Sequence, residues 1–321
     1  MPLSERVQRK IVPRRGFCSV SPAGDALLIS GNGAMTIETA CGPYSEQIVF
    51  RYESLFTPHK RPFEAPNIAG IFSQVRQNAV GRKIPRGRET RLRRMAQDRH
   101  HPGVLRRRGT LHAPGLSQVR AGEGHLRTVD FESTELRVHW TDERGEWVRR
   151  TFASRPDDVV VQWLTAPKGQ PLNIRITMQR SAPGGRGMGG MGGGMPGSDG
   201  RGGAPAGAQS NARQDFNEQR LIFKGIFDPT IDNSGYAGVT RVVRDGGSAC
   251  MEGDTLVVEN AASVMLLTRI ERLAAYSDER VELLWRALEE LTPDYPALLE
   301  RARKIQSEML NRVTVDFGGA A

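Results

Sequence analysis

Three pairs of neighbouring carboxylates stand out in this chain of 321 residues: Asp142/Glu143, Asp157/Asp158 and Glu289/Glu290. General acid–base hydrolysis needs one carboxyl held protonated and another ionised, and an inverting reaction at a sugar sets them roughly 6.5–9.5 Å apart so that a water fits. Each pair has a simpler placement: a hairpin turn for the first, a strand entrance for the second, the polar face of a helix for the third. No catalytic residue is assigned from them. Gly31-Asn32-Gly33 has the glycines of a phosphate-cradling loop but neither a further Gly nor the Gly-Lys-Ser/Thr such loops require, so it reads as a hairpin turn needing positive φ. Asp228, Asp232 and Asn233 supply oxygen without the twelve-residue spacing and closing Glu of a calcium loop. Cys18, Cys41 and Cys250 show no C-x-x-C and are read as buried small apolar residues. No metal and no cofactor is expected.

Trp140, Trp147, Trp163 and Trp285 raise sugar binding, because an exposed indole stacks on a sugar ring. Three of them lie in strand patterns with one buried face, which favours core packing. The net charge of +9 raises nucleic-acid binding, and its distribution bears on that. Residues 82–127 hold 13 Lys and Arg against 3 Asp and Glu, a local net of +10, which leaves −1 for the rest. Arg186-Gly187 and Arg201-Gly202-Gly203 add Arg-Gly steps of the kind that grip single strands. Segments that do so interleave aromatics for base stacking, and 82–127 contains no Phe, Tyr or Trp. Nucleic-acid binding is therefore a further alternative, not the leading function.

The elements that must position these residues read mainly as strands. Short apolar runs and turn signals fill 25–56, and Asn67–Ala79 has helical spacing. Residues 82–127 read as an irregular, disordered Arg-rich segment that cannot bury enough apolar surface to order itself. Thr134–Trp140 and Trp147–Phe152 alternate as a hairpin, Val159–Leu164 is a buried run, and Leu172–Met178 alternates again. Between Ala182 and Gly207, 13 of the residues are Gly, as in a flexible insertion. Strand chemistry resumes at Gln219–Phe227, Gly238–Val243, Asp254–Glu259 and Ser263–Glu271, and two helices are predicted from Ser277 to Glu290 and from Tyr295 to Val313. The predicted fold is mainly β: a large two-sheet β-sandwich of eight to twelve strands with carboxy-terminal helices. Its parts are a tail (1–24), sandwich strands (25–81, 128–181 and 216–276), the Arg-rich segment (82–127), a Gly/Met-rich flexible insertion (182–215) and the helices (277–321). No apolar run reaches the ~20 residues of a membrane span, and the basic start has no apolar stretch after it, so the chain as written is expected in the cytoplasm without a membrane partner.

Several segments in order resemble the amino-terminal domain of glycoside hydrolase family 95, the α-L-fucosidase type. They are Asp25–Met35 with its Gly-Asn-Gly turn, Glu46–Phe50, Arg150–Asp157 running into the Val-rich strand, and Asp294–Leu299 through Asn311–Gly318. The resemblance implies a β-sandwich that precedes a barrel of paired helices, and the barrel supplies the general acid and the base. The chain is then a truncated part of such an enzyme, inactive alone, that meets a glycan substrate only when joined to its catalytic domain, and an exported parent enzyme is compatible with it. The resemblance also places Asn32 and His59 toward the following domain or the sugar. A stand-alone carbohydrate-binding or structural β-sandwich is the alternative. Residues 82–127 break the resemblance and read as a shifted frame through GC-rich DNA.

Overall fold

The computed structural model describes residues 16–19, 27–39, 42–55, 73, 76–77, 105–111, 125–180, 211–227 and 233–313. In chain order the first eight strands are β1 (Gly16–Ser19), β2 (Leu28–Gly31), β3 (Met35–Thr39), β4 (Ser45–Tyr52), β5 (Leu105–Leu111), β6 (Leu126–Asp130), β7 (Leu136–Asp142) and β8 (Gly145–Ser154). After them come β9 (Val159–Thr165), β10 (Leu172–Arg180), β11 (Asn211–Phe216), β12 (Arg220–Ile226), β13 (Gly235–Asp245), β14 (Ser248–Glu252), β15 (Thr255–Ala261) and β16 (Ser263–Leu273). Two helices close the described chain, α1 (Asp278–Glu289) and α2 (Tyr295–Leu310). A nine-stranded sheet runs β1-β6-β7-β8-β9-β16-β13-β12-β11, and a seven-stranded sheet runs β14-β15-β10-β5-β4-β3-β2. The strands expected from alternation are present, and the mainly-β two-sheet fold with terminal helices is the fold observed.

Alternation decides which face of each strand goes inside. On β7, Leu136, Val138 and Trp140 are buried and Arg137 and His139 lie on the other face. Trp140 pairs directly with Trp147 of β8, and the two rings stack at 5.8 Å with an interplanar angle of 5°. These indoles join Met35, Ile37, Ile48, Phe50, Ile176 and Leu256 in the core between the sheets. A second core lies on the outer face of the nine-stranded sheet, where Phe152, Val161, Val239 and Leu267 meet Val281, Leu284, Trp285 and Leu288 of α1 and Leu298 and Ala302 of α2. Strand β9 is covered on both faces, and for that reason Val159-Val160-Val161 is apolar without a break.

Both helices start as the sequence signals direct. Ser277 Oγ accepts the Arg280 N–H at 3.2 Å and Asp294 Oδ1 accepts that of Ala297 at 3.0 Å, with Asp278 and Glu279 favourably placed in the first turn of α1. The end of α1 is closed from the sheet: Arg241 Nη1 donates to the carbonyls of Leu288, Glu289 and Leu291 at 2.7, 3.1 and 2.9 Å. Among the described residues no helix is long and apolar enough to cross a membrane.

Five expectations are corrected. The described strands number sixteen rather than eight to twelve, and the expected tail over 1–24 holds β1, which pairs with β6. The Arg-rich segment carries β5, which pairs β4 on one edge and β10 on the other, and its end at Leu126-Arg127 enters β6. Backbone pairing on both edges supplies what the side-chain pattern did not advertise. The Gly/Met-rich insertion ends earlier than expected, because Asn211–Phe216 is a strand paired with β12. The cysteines are not core residues: Cys250 is exposed on β14 and Cys18 half-buried on β1, both on outermost strands, and Cys41 lies outside the described residues. Of the helix expected over 67–79, residues Ser73, Arg76 and Gln77 are described, and they are helical.

Candidate functional site

The Gly31-Asn32-Gly33 turn joins β2 to β3 and fastens the two sheets to each other. Gly33 has φ +104°, so the backbone there calls for glycine; a Cβ would meet only the movable end of the exposed Arg155 side chain at 3.0 Å. Asn32 is buried, and its amide uses both of its sides. Nδ2 donates to the Ser154 carbonyl at 3.2 Å and to Asp158 Oδ1 at 3.1 Å, while Oδ1 accepts the N–H groups of Ala34 at 3.1 Å and Met35 at 2.7 Å. Across the β8–β9 turn, Asp158 (φ 49°) also accepts Arg269 Nη2 at 2.7 Å. Asp157 accepts Ser154 Oγ at 2.6 Å and Arg301 of α2 at 2.8 Å. A turn of one sheet, a turn of the other and a helix thus meet through two carboxylates, each held by its own arginine. His59 lies outside the described residues.

The remaining acidic pairs sit where their sequence context put them. Asp142 in the β7–β8 turn pairs with Arg144 at 2.8 Å and accepts Tyr44 Oη at 3.2 Å. Burial pushes the Asp142 carboxyl up, but the hydrogen bonds and charge of Arg144 prevail and leave it below its ordinary value. Tyr44 is pushed up to about 12, first by burial and then by the Asp142 charge. Glu289 and Glu290 stand at the carboxy-terminal end of α1. A further carboxylate, not singled out in the sequence, is buried between the sheets: Glu46 pairs with Arg149 at 2.9 Å, accepts Thr39 Oγ1 at 2.9 Å and contacts Gln162 Nε2. Another, Glu135, accepts the buried Tyr295 hydroxyl at 2.9 Å, and burial followed by the Glu135 charge raises that phenol well above its ordinary range. Among the described residues no three His, Cys, Asp or Glu side chains gather as a metal site.

A different arrangement lies on the outer face of the nine-stranded sheet, beside the start of α2. The register aligns Arg137, Arg150, Trp163, Met265 and Val243 in one row across β7, β8, β9, β16 and β13. The next row is His139, Val148, Thr165, Ser263 and Asp245. Where these rows meet Pro293-Asp294-Tyr295-Pro296 there is an open cavity of about 370 Å³ with Trp163, Ser263 and Asp245 in its wall. Trp163 is partly exposed there, unlike Trp140 and Trp147 at 0 % and Trp285 at 7 %. Sequence reasoning missed this grouping because its members come from five strands and a loop. The alternation of Arg150, Trp163 and Ser263 to one face was the available signal.

Residues 19–272 match the family model described as glycosyl hydrolase family 65, N-terminal domain. The chain belongs to that family. The chain is an amino-terminal β-sandwich domain of a carbohydrate-active enzyme type. Among solved structures it is similar to a putative kojibiose phosphorylase from the human microbiome, at 10 % identity and a TM-score of 0.46, covering 89 % of this chain and 35 % of that one. It is also similar to a family GH92 α-mannosidase from Bacteroides thetaiotaomicron, at 9 % identity and a TM-score of 0.31, covering 92 % and 37 %. This family 65 N-terminal domain chain therefore spans little more than a third of the length of those proteins. No curated protein matches it.

Proposed function

We propose that the chain is the non-catalytic amino-terminal β-sandwich of an α-L-fucosidase-type glycoside hydrolase, close to family 95, and works joined to a catalytic barrel of helices. The observation that carries this reading is the family 65 N-terminal domain match over 19–272, most of the chain. The site geometry agrees: Asp142, Asp157 and Asp158 are each tied to an arginine and Glu46 to Arg149, so none is poised to give or take a proton from a sugar. In this reading Asn32 and His59 belong to the side facing the barrel. Asn32 acts by holding the turn, since its hydrogen bonds are made within the chain.

The chain alone is expected to leave a chromogenic α-L-fucoside uncleaved above a matched blank, and to support cleavage when fused to the catalytic helical barrel of a family 95-type enzyme. Cleavage by the chain alone overturns the non-catalytic role; a fused protein that cleaves another glycoside but not the fucoside overturns the fucosidase assignment. The frame-shift reading of 82–127 belongs to the same proposal and draws support from β5, whose register sets Arg107 opposite the core residues Ile48 and Met178. Translating the gene in its other two frames across that stretch tests it; similarity that extends in neither frame ends the idea. Binding of nucleic acid is the weaker reading, because Arg106-Arg107-Arg108 lie in a strand paired on both edges.

A further inference from the structure

We infer that the cavity beside the start of α2 is a sugar-binding site, with the Trp163 indole as its platform and Asp245 and Ser263 as its hydrogen-bonding rim. The inference rests on the reading of the chain as part of a carbohydrate-active enzyme and adds a site that its non-catalytic role does not require.

A sugar ring is amphipathic: its axial C–H groups are apolar and its hydroxyls both give and accept hydrogen bonds. A site for it combines an accessible aromatic face with a few fixed polar groups at the edge, in a concavity of about 300 Å³ or more. The cavity here has about 370 Å³ and that composition. Trp163 is the partly exposed tryptophan of the four, and it lies in the cavity wall. Its ring is held rather than loose: the Tyr295 ring packs against it at 5.0 Å, and the Arg150 guanidinium lies 5.8 Å from its centroid. A platform fixed before the ligand arrives loses little freedom on binding.

The rim has capacity to spare. Asp245 uses its backbone carbonyl on the Ala262 N–H at 2.8 Å, while its exposed carboxylate and the Ser263 hydroxyl make no side-chain hydrogen bond among the described residues. Register sets Asp245 directly opposite Ser263 at the end of the β13–β16 ladder, so the two flank one point, one row away from Trp163. Two carboxylate oxygens beside a hydroxyl suit a vicinal pair of sugar hydroxyls. Asp294 lies in the same wall with one oxygen committed to the Ala297 N–H, and Arg244 donates to the Gly247 carbonyl at 3.3 Å.

The test is a titration of the full chain with methyl α-L-fucoside and, separately, methyl α-D-glucoside, followed by the ligand's own nuclear magnetic resonance signals. Saturable change with at least one sugar below about 100 mM is expected. Trp163→Ala should weaken it at least about tenfold, and Asp245→Ala, an exposed position whose substitution leaves both cores intact, about fivefold. Should Trp163→Ala fail to fold, Asp245→Ala and Ser263→Ala decide. No saturable change with either sugar, or binding that survives the rim substitutions unaltered, overturns the site. Failure here leaves the non-catalytic reading standing, and fucoside cleavage by the chain alone would end that reading while the rim variants still decide the sugar site.

Discussion

Asn32→Asp is the sharpest perturbation of the sheet junction, because it is isosteric and reverses only one side of the amide. Asn32→Ala serves as its reference. Alanine removes four hydrogen bonds at 2.7–3.2 Å in a buried turn, and at ~1 kcal/mol net for each the loss is about 3–4 kcal/mol. For a chain of this size that lowers the thermal midpoint by about 6 °C or more. Aspartate keeps the acceptor for Ala34 and Met35 but replaces the donor with an oxygen facing Asp158 Oδ1 at 3.1 Å and the Ser154 carbonyl at 3.2 Å. Repulsion at a site with little water adds ~1–3 kcal/mol to the ~2 kcal/mol of the two lost bonds, so at neutral pH the aspartate variant should be at least as destabilised as the alanine one. Lowering the pH protonates the new carboxyl, above the ordinary aspartate range because the two facing oxygens disfavour its charge, and so restores a donor and recovers part of the loss. Calorimetric unfolding of the three proteins at pH 7 measures this directly. An Asn32→Asp protein within about 0.5 kcal/mol of the parent would refute the reasoning, and an Asn32→Ala protein of unchanged midpoint would return the residue to a surface role.

Three other outcomes follow from the same geometry. Glu46→Leu alone should cost about 3–5 kcal/mol in urea unfolding by stranding Arg149, whereas Glu46→Leu with Arg149→Met should recover most of it; equal losses would show that the pair is not coupled. His139 is held below its ordinary value by burial, with Arg137 and Arg150 adding to that and Glu146 at 3.6 Å opposing it. Its folded form resists a proton that the unfolded chain accepts, so stability should be lost as pH falls through about 6.5 toward the lowered folded value, and His139→Gln should flatten the midpoint between pH 7.5 and 5.5. Tyr295→Phe keeps the ring contacts with Phe152 and Trp163 but deletes the hydrogen bond to Glu135, for an expected loss of about 2 kcal/mol by thermal unfolding; no loss would mean that Arg137 alone satisfies that carboxylate.

Much of the fold was legible where side chains alternate. Leu136-Arg137-Val138-His139-Trp140 and the spacing of Val281, Leu284, Trp285 and Leu288 each bury one face, and the structure places them as strand and helix. Strand β5 was not legible, because Leu105 and Leu111 are its only large apolar residues and its order comes from neighbouring backbones, which no local pattern records. The junction was half legible. Gly31-Asn32-Gly33 announced a turn, but its partners Ser154, Asp158 and Arg155 lie more than a hundred residues away. Trp163 was grouped with the core tryptophans, since the sequence places it in a buried strand; the structure leaves it partly exposed in the cavity wall, against Tyr295 at the start of α2.

Strand β5 also divides the seven-stranded sheet. On one side are β10, β15 and β14, on the other β4, β3 and β2, and among the described residues no ladder joins the two halves except through β5. Taking it out would open a slot two strand spacings wide, about 9.6 Å, and turn the inner margins of β4 and β10 into bare edges. An intervening chain of more than fifty residues separates β4 from β5, so the same slot is where a nicked molecule could lose the strand or a second copy could supply it.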